Sequence, residues 1–268
     1  MTGPDPFAEL KQRQRQMWAS FAPTAILTTP VAGEFIRFAR IAPGETVLDI
    51  ATGTGVAAIT AARAGARVNG LDLTPELLEV ARENAHIAQT EDIVWTEGDA
   101  ESLPYPDASF DVVISQFGHI FAPRPEVAVA EMRRVLKPGG RLAFASWPPE
   151  HLVGRMFAFI SRHSPPPPPG AAPPGLWGTP EVVTQRLAGA FAAPFFRRGN
   201  MSVSALSLSH FRLAMEKSVG PLQKLVEGLA AQPDKLAAVR AEIEALAAPY
   251  YEGNVVRQEY LLTQTAAI

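Results

Sequence analysis

"VLDIATGTGVAAITAARAGARVNGLDLTPELLEVA", Val47 to Ala81, sets an apolar run against two glycines, then a second apolar run against a lone acid. The first half reads as strand, tight turn and helix. Gly53 and Gly55 leave the backbone bare where helix N–H groups point outward, which suits the close approach of a ligand. Asp72 ends the second run about 20 residues further on, where an acid accepts ribose hydroxyls in nucleotide-binding folds. Gly53, Gly55 and Ala58 also satisfy G-x-G-x-x-A, so at this point NAD is an open alternative. Asp49, inside the first strand, weighs the other way. Its negative charge near the loop suits a ligand with an ammonium and a sulfonium better than a pyrophosphate.

Outward from this stretch, short apolar runs alternate with helical patterns between Glu45 and Trp147, the signature of a parallel sheet with crossover helices. "TVLDIA", "ARVNGLDL", "DIVWTEGD", "FDVVISQ" and "RLAFASW" read as five strands. Thr74 as N-cap and Pro75 at the first helical position predict a helix over 75–88, with Leu77, Val80, Ala81 and Ala85 on one face. Pro125 opens a second helix with a stripe of Ala128, Met132, Val135 and Leu136, and Pro138-Gly139-Gly140 stops it. Two helical patterns precede the core, around Trp18 and across 30–42. After it comes "SPPPPPGAAPPG", Ser164 to Gly175, which can neither continue a helix nor pair as a central strand and so reads as an extended surface loop. "NMSVSALSLS" and "RQEYLLTQTA" then read as two last strands on the same sheet, separated by helices.

The expected fold class is therefore α/β: a Rossmann-like, doubly wound, mostly parallel seven-stranded sheet with helices on both faces. Residues 1–44 supply cap helices, 45–150 the cofactor-binding core, and 151–268 a helical insertion and the last strands, all in one domain.

A net charge of −3 and the lack of any Lys/Arg cluster disfavour nucleic acid as a partner. The absence of cysteine removes disulfides, thiolate metal sites and cysteine nucleophiles together, and no histidine spacing suggests a metal pair. The polar N-terminus and the lack of a long apolar segment predict a cytoplasmic protein with no membrane span.

With five motifs in order, the chain resembles the class I S-adenosylmethionine-dependent methyltransferases over most of residues 30–150. "VLDIATGTG" is similar to their glycine motif, "GLDLT" to the second, "EGDAESLPYPDASFDVVIS" to the third and fourth, and "MRRVLKPGGRLAFASW" to the fifth. The wording "GDAESLPYPDASFDVV" followed by "LKPGG" is nearest to the ubiquinone/menaquinone C-methyltransferase-like branch. The resemblance implies S-adenosylmethionine as cofactor, held by Asp49, Ala51, Thr52, Gly53 and Gly55. Asp72 would take the ribose diol, Leu73 flank the adenine, and Asp99 and the backbone of Ala100 read the adenine edge. The implied activity is methyl transfer to a small molecule. The alternatives are an NAD-dependent oxidoreductase and a non-catalytic cofactor-binding scaffold.

Methyl transfer from a sulfonium is an in-line displacement that relies on positioning, so few catalytic residues are required. "SQFGHIF" follows the fourth strand at its carboxyl end, the ligand-binding edge of open α/β sheets. Gln116 would border the donor there, and His119 is the best-placed candidate base should the acceptor lose a proton; a loop histidine that only shapes the pocket or bonds to backbone is the alternative. Trp18, Phe21, Phe117 and Trp177 are candidate walls for an apolar or aromatic acceptor; helical aromatics are as often simple core.

Overall fold

The computed structural model describes residues 5–268. Its strands are β1 (Thr46–Ile50), β2 (Arg67–Asp72), β3 (Val94–Glu97), β4 (Phe110–Gln116), β5 (Leu136–Ser146), β6 (Phe195–Ser204), β7 (Tyr251–Glu252) and β8 (Val255–Ala266). They form one sheet in the order β3-β2-β1-β4-β5-β8-β6, with β7 paired to β8 off this path. The seven expected strands make up the path, and the two-residue β7 is an eighth. β1 to β5 pair in parallel, whereas β8 runs antiparallel to both β5 and β6.

The central strands β1 and β4 are apolar almost without a break because both of their faces are covered, whereas β3 at the sheet edge is exposed or half-buried along its length. Val47, Leu48, Asp49 and Ile50 of β1, and Val112 to Ser115 of β4, are all buried. Helix Val56–Arg63 packs on β1 and β2, helix Pro75–Ile87 on β2 and β3, and helix Pro125–Val135 on β5. Two local expectations change. On helix 75–87 Leu78 is buried and Val80 only partly so, and Thr74 holds the N-cap position without a side-chain cap bond. Leu136 does not belong to the helical stripe; it turns extended (φ −76°, ψ 135°) and pairs with Phe110, after which the register shifts before Arg141. The Pro-Gly-Gly run thus forms the irregular lead-in to β5.

Residues after 150 extend the same sheet through β6 and β8. Between the strands lie helices Leu152–His163, Pro180–Leu187, Leu208–Ser218, Gly220–Gly228 and Pro233–Ala247. Residues 164–167, 169 and 170 of the proline-rich segment are exposed, Pro168 is half-buried, and the segment leads into a 3-10 turn, Pro174–Gly178. At the other end of the chain, helices Ala8–Trp18 and Thr29–Phe38 precede β1. Among the described residues no helix is long and apolar enough to cross a membrane.

Candidate active site

A cavity lies at the carboxyl ends of β1, β2 and β4, where the strand order reverses and open α/β sheets bind ligands. Its wall contains Asp49, Ala51, Thr52 and Gly53 from the first strand and loop, Asp72 and Leu73 from the second, and Asp99 and Ala100 from the third. Gln116 and Phe117 join them from the end of β4, and Trp18 and Phe21 from the N-terminal segment. Residues scattered between 18 and 117 in the chain thus face one space.

The two glycines of the first loop have different jobs. A Cβ at Gly53 (φ 56°) would meet nothing within 4 Å, so that backbone is open to the cavity. Gly55 (φ 84°) is not on the cavity wall, contrary to expectation. A Cβ there would lie 2.7 Å from the Trp95 ring and 3.3 Å from Ala81, so its bareness serves the packing of the helix start against the sheet. Ala51 (φ 53°) and Phe117 (φ 69°) both hold left-handed backbone on the wall, a conformation costly for non-glycine residues that concentrates at functional sites.

Asp49 is fully buried. Its Oδ2 accepts from the Thr52 hydroxyl (2.6 Å) and from the Ala58 N–H (3.1 Å), whereas Oδ1 has no partner. Burial pushes its carboxyl up to about 7; the two donors oppose this, and nearby Asp72 adds to it. Asp72 accepts from the backbone N–H of Gly53 (2.7 Å) and of Thr74 (2.9 Å), and burial raises its carboxyl too. Gln116 donates to the Thr28 carbonyl (2.9 Å) and leaves Oε1 buried without a partner. Two acceptor atoms beside the glycine loop are therefore unsatisfied, which buried polar groups rarely are.

Lys11 closes the near side. Its ammonium donates to Asp5 (2.7 Å), Asp99 (2.6 Å) and Glu101 (2.6 Å), while Arg124 holds Glu101 from the opposite side (2.8 Å). Burial works against the lysine charge, but the carboxylates outweigh it and keep its pKa above the ordinary value. The three acids come close enough to suggest a cation site, and the lysine already supplies the cation.

Besides Gly55, two expected site residues lie elsewhere. His119 is fully buried outside the cavity wall, with its ring packed between Phe144 (4.5 Å) and Trp177 (4.7 Å) and neither nitrogen partnered. Burial, then the charge of Arg186, lowers its pKa to about 3, so it is a neutral core residue with no access to a substrate proton. Trp177 is 1% exposed in the same cluster, under the Arg186 guanidinium. Both sit a few residues beyond a strand or loop end, where one turn of chain direction decides between cavity and core.

Most of the far wall carries no readable motif. It comes from Leu152, Met156 and Phe157 on one helix, Phe211 and Met215 on another, and Met201 and Gln258 on neighbouring strands. The one available signal was Gln258, an amide on the same strand face as the buried Val256 and Tyr260.

Residues 48–144 match a family described as a methyltransferase domain. An uncharacterized protein of Mycobacterium tuberculosis is 34% identical over 92% of both chains. A demethylmenaquinone methyltransferase of Deinococcus radiodurans is 39% identical over 165 residues, 57% of this chain and 68% of that one. Among solved structures, a candidate methyltransferase of Bacillus halodurans shares the fold at a TM-score of 0.61 and 21% identity, over 87% of this chain and 96% of that one. Fold, strand-end cavity and relatives agree: the chain belongs to the class I S-adenosylmethionine-dependent methyltransferases, in the ubiquinone/menaquinone C-methyltransferase-like branch.

Proposed function

We propose that the cavity holds S-adenosylmethionine over the ends of β1, β2 and β3 and a small, mainly apolar acceptor on the side built by residues 147–258. The observation that carries this reading is Asp49 Oδ1, a buried carboxylate oxygen without a partner on the wall beside the open backbone of Gly53. An unpaired buried acceptor beside bare backbone fits an ammonium-bearing ligand and repels the pyrophosphate of NAD. Asp72 is suited to the ribose hydroxyls, because its carboxylate lies on the cavity wall at the end of β2 and is held in place there by the Gly53 and Thr74 N–H groups. Leu73 and Ala100 would flank and read the adenine. Asp99 would do so while tied to Lys11, which couples the N-terminal helix to the cofactor.

The cofactor supplies a methyl group already activated on a sulfonium, so the protein's part is alignment and exclusion of water. Among the described residues the titratable side chains on the wall are Lys11, Arg15, Asp49, Asp72 and Asp99. Lys11 and Asp99 neutralise one another, Arg15 pairs with Glu97 (2.7 Å), and Asp72 is engaged by backbone. None of the five comes from residues 147–258. Residues on that side align the acceptor and supply it no titratable side chain. Phe117, stacked on Trp147 at 3.9 Å, and the Trp18–Phe121 pair provide flat apolar surfaces to align it.

Calorimetry with S-adenosylhomocysteine and with NAD tests the reading. We expect binding of the first only, and binding of NAD alone overturns it.

A further inference from the structure

Resting on that reading and deepening it, we propose that Gln258 sets acceptor specificity. The acceptor is a neutral, largely apolar molecule whose single hydroxyl or carbonyl group is read by the Gln258 amide.

The surrounding wall explains why one amide can decide. Met156, Phe157, Met201, Phe211 and Met215 line this part of the cavity, and Met201 is the cross-strand partner of Gln258. Charged neighbours in the chain are occupied elsewhere. Glu216, next to Met215, is held by Arg212 (2.5 Å) and Arg240 (2.8 Å). Glu259, next to Gln258, points to the other strand face and meets His151 at 2.7 Å. A charged acceptor would therefore be buried here without a counter-ion, which is strongly unfavourable.

Gln258 itself is 7% exposed on the cavity wall and makes no side-chain hydrogen bond to the described residues. Its amide atoms are open to the cavity rather than sealed in the core, so a ligand that displaces water from them has to supply a matching hydrogen-bonding group. A site that offers one buried hydrogen-bonding group among apolar side chains discriminates strongly against analogues lacking the matching group. The flexible methionine side chains accommodate varied apolar shapes, leaving the amide as the fixed point of recognition.

The test uses three probes of matched size, biphenyl, 4-hydroxybiphenyl and biphenyl-4-carboxylate. Each is titrated into the full chain with S-adenosylhomocysteine present and followed by tryptophan fluorescence, since Trp18 and Trp147 lie on the wall. We expect 4-hydroxybiphenyl to bind about tenfold or more tighter than the other two. Gln258→Met should lower its affinity to that of biphenyl while leaving S-adenosylhomocysteine affinity unchanged, which also reports correct folding; Gln258→Leu serves if that variant does not fold. The proposal is overturned if the carboxylate binds tightest, if none of the three binds, or if a folded variant keeps the preference for the hydroxyl. Failure of the wild type to bind S-adenosylhomocysteine instead overturns the donor reading, and the same titrations without it still decide the role of Gln258.

Discussion

The carboxylate of Asp72 accepts the backbone N–H of Gly53 at 2.7 Å, and its second oxygen accepts that of Thr74 at 2.9 Å. One side chain at the end of β2 therefore pins the loop after β1 and the start of its own helix. An amide cannot replace it, because each oxygen faces a donor and the Asn nitrogen would have to face one of them. Asp72→Asn should destabilise the chain by about 1–3 kcal/mol and weaken S-adenosylhomocysteine binding about tenfold. Urea unfolding and calorimetry measure the two effects separately. Wild-type values in both would leave Asp72 with neither role.

Asp49 predicts a pH dependence of unusual sign for an acid. Burial raises its carboxyl from 3.8 to about 7, so the folded chain keeps a proton that the unfolded chain has lost. Its contribution to stability therefore falls as pH rises from about 4 to about 7. Asp49→Asn cannot ionise, so its stability should gain on the wild type across that window in unfolding measurements without ligand. Binding should show the opposite trend. Wild-type affinity for S-adenosylhomocysteine should rise as pH approaches about 7, and the Asn variant should bind about tenfold more weakly above it. Parallel stability curves for the two proteins would contradict the burial argument.

His119 has the complementary slope. Burial, with the Arg186 charge, holds its pKa down to about 3, so stability is lost as pH falls from about 6.5 toward 3 and the unfolded chain takes up the proton. His119→Phe removes two unpartnered nitrogens from an aromatic cluster. We expect neutral-pH stability within about 1 kcal/mol of wild type, a shallower loss in acid, and unchanged turnover with any acceptor that the wild type methylates. A drop in turnover with a shifted pH profile would restore His119 as a base.

Gly53 and Gly55 separate ligand access from packing. Both have positive φ, so alanine at either costs about 1–2 kcal/mol of backbone strain. At Gly53 the added methyl meets only the cavity, so Gly53→Ala should mainly weaken S-adenosylhomocysteine binding. At Gly55 it meets Trp95, so Gly55→Ala should lose about 3 kcal/mol or more. Trp95→Leu in that background should recover part of the loss in a denaturation series; no recovery would rule out the clash.

Lys11 fastens the N-terminal helix to the cavity rim through Asp99 and the buried Glu101, and also binds Asp5 of its own segment. Lys11→Met removes the shared cation and should cost about 3 kcal/mol, with faster amide exchange confined to residues 8–18. Arg13→Ala, which breaks the exposed pair with Glu9 on the same helix, should change stability by less than about 0.5 kcal/mol. Equal exchange in the two variants would show that the helix is docked by its apolar contacts alone.

How much of this was legible beforehand follows from the range over which each signal acts. β1 to β5 and the helices between them are local patterns of apolar period, proline starts and glycine turns, and all of them stand in the structure. The edge that carries the cavity followed too, because the right-handed crossover rule leaves little choice about where the loops after β1, β2 and β4 converge. Asp49, Gly53, Asp72 and Asp99 were readable on that ground. Side-chain destination was not. Gly55 turns to Trp95, and His119 and Trp177 turn into the core, because packing partners far apart in sequence offered each of them a better-buried place. The acceptor wall was unreadable for the same reason: Met156, Met201, Phe211 and Gln258 converge only when β6 and β8 close onto β5. Local periodicity specifies the elements of this protein. Long-range burial decides which of their side chains meet a ligand.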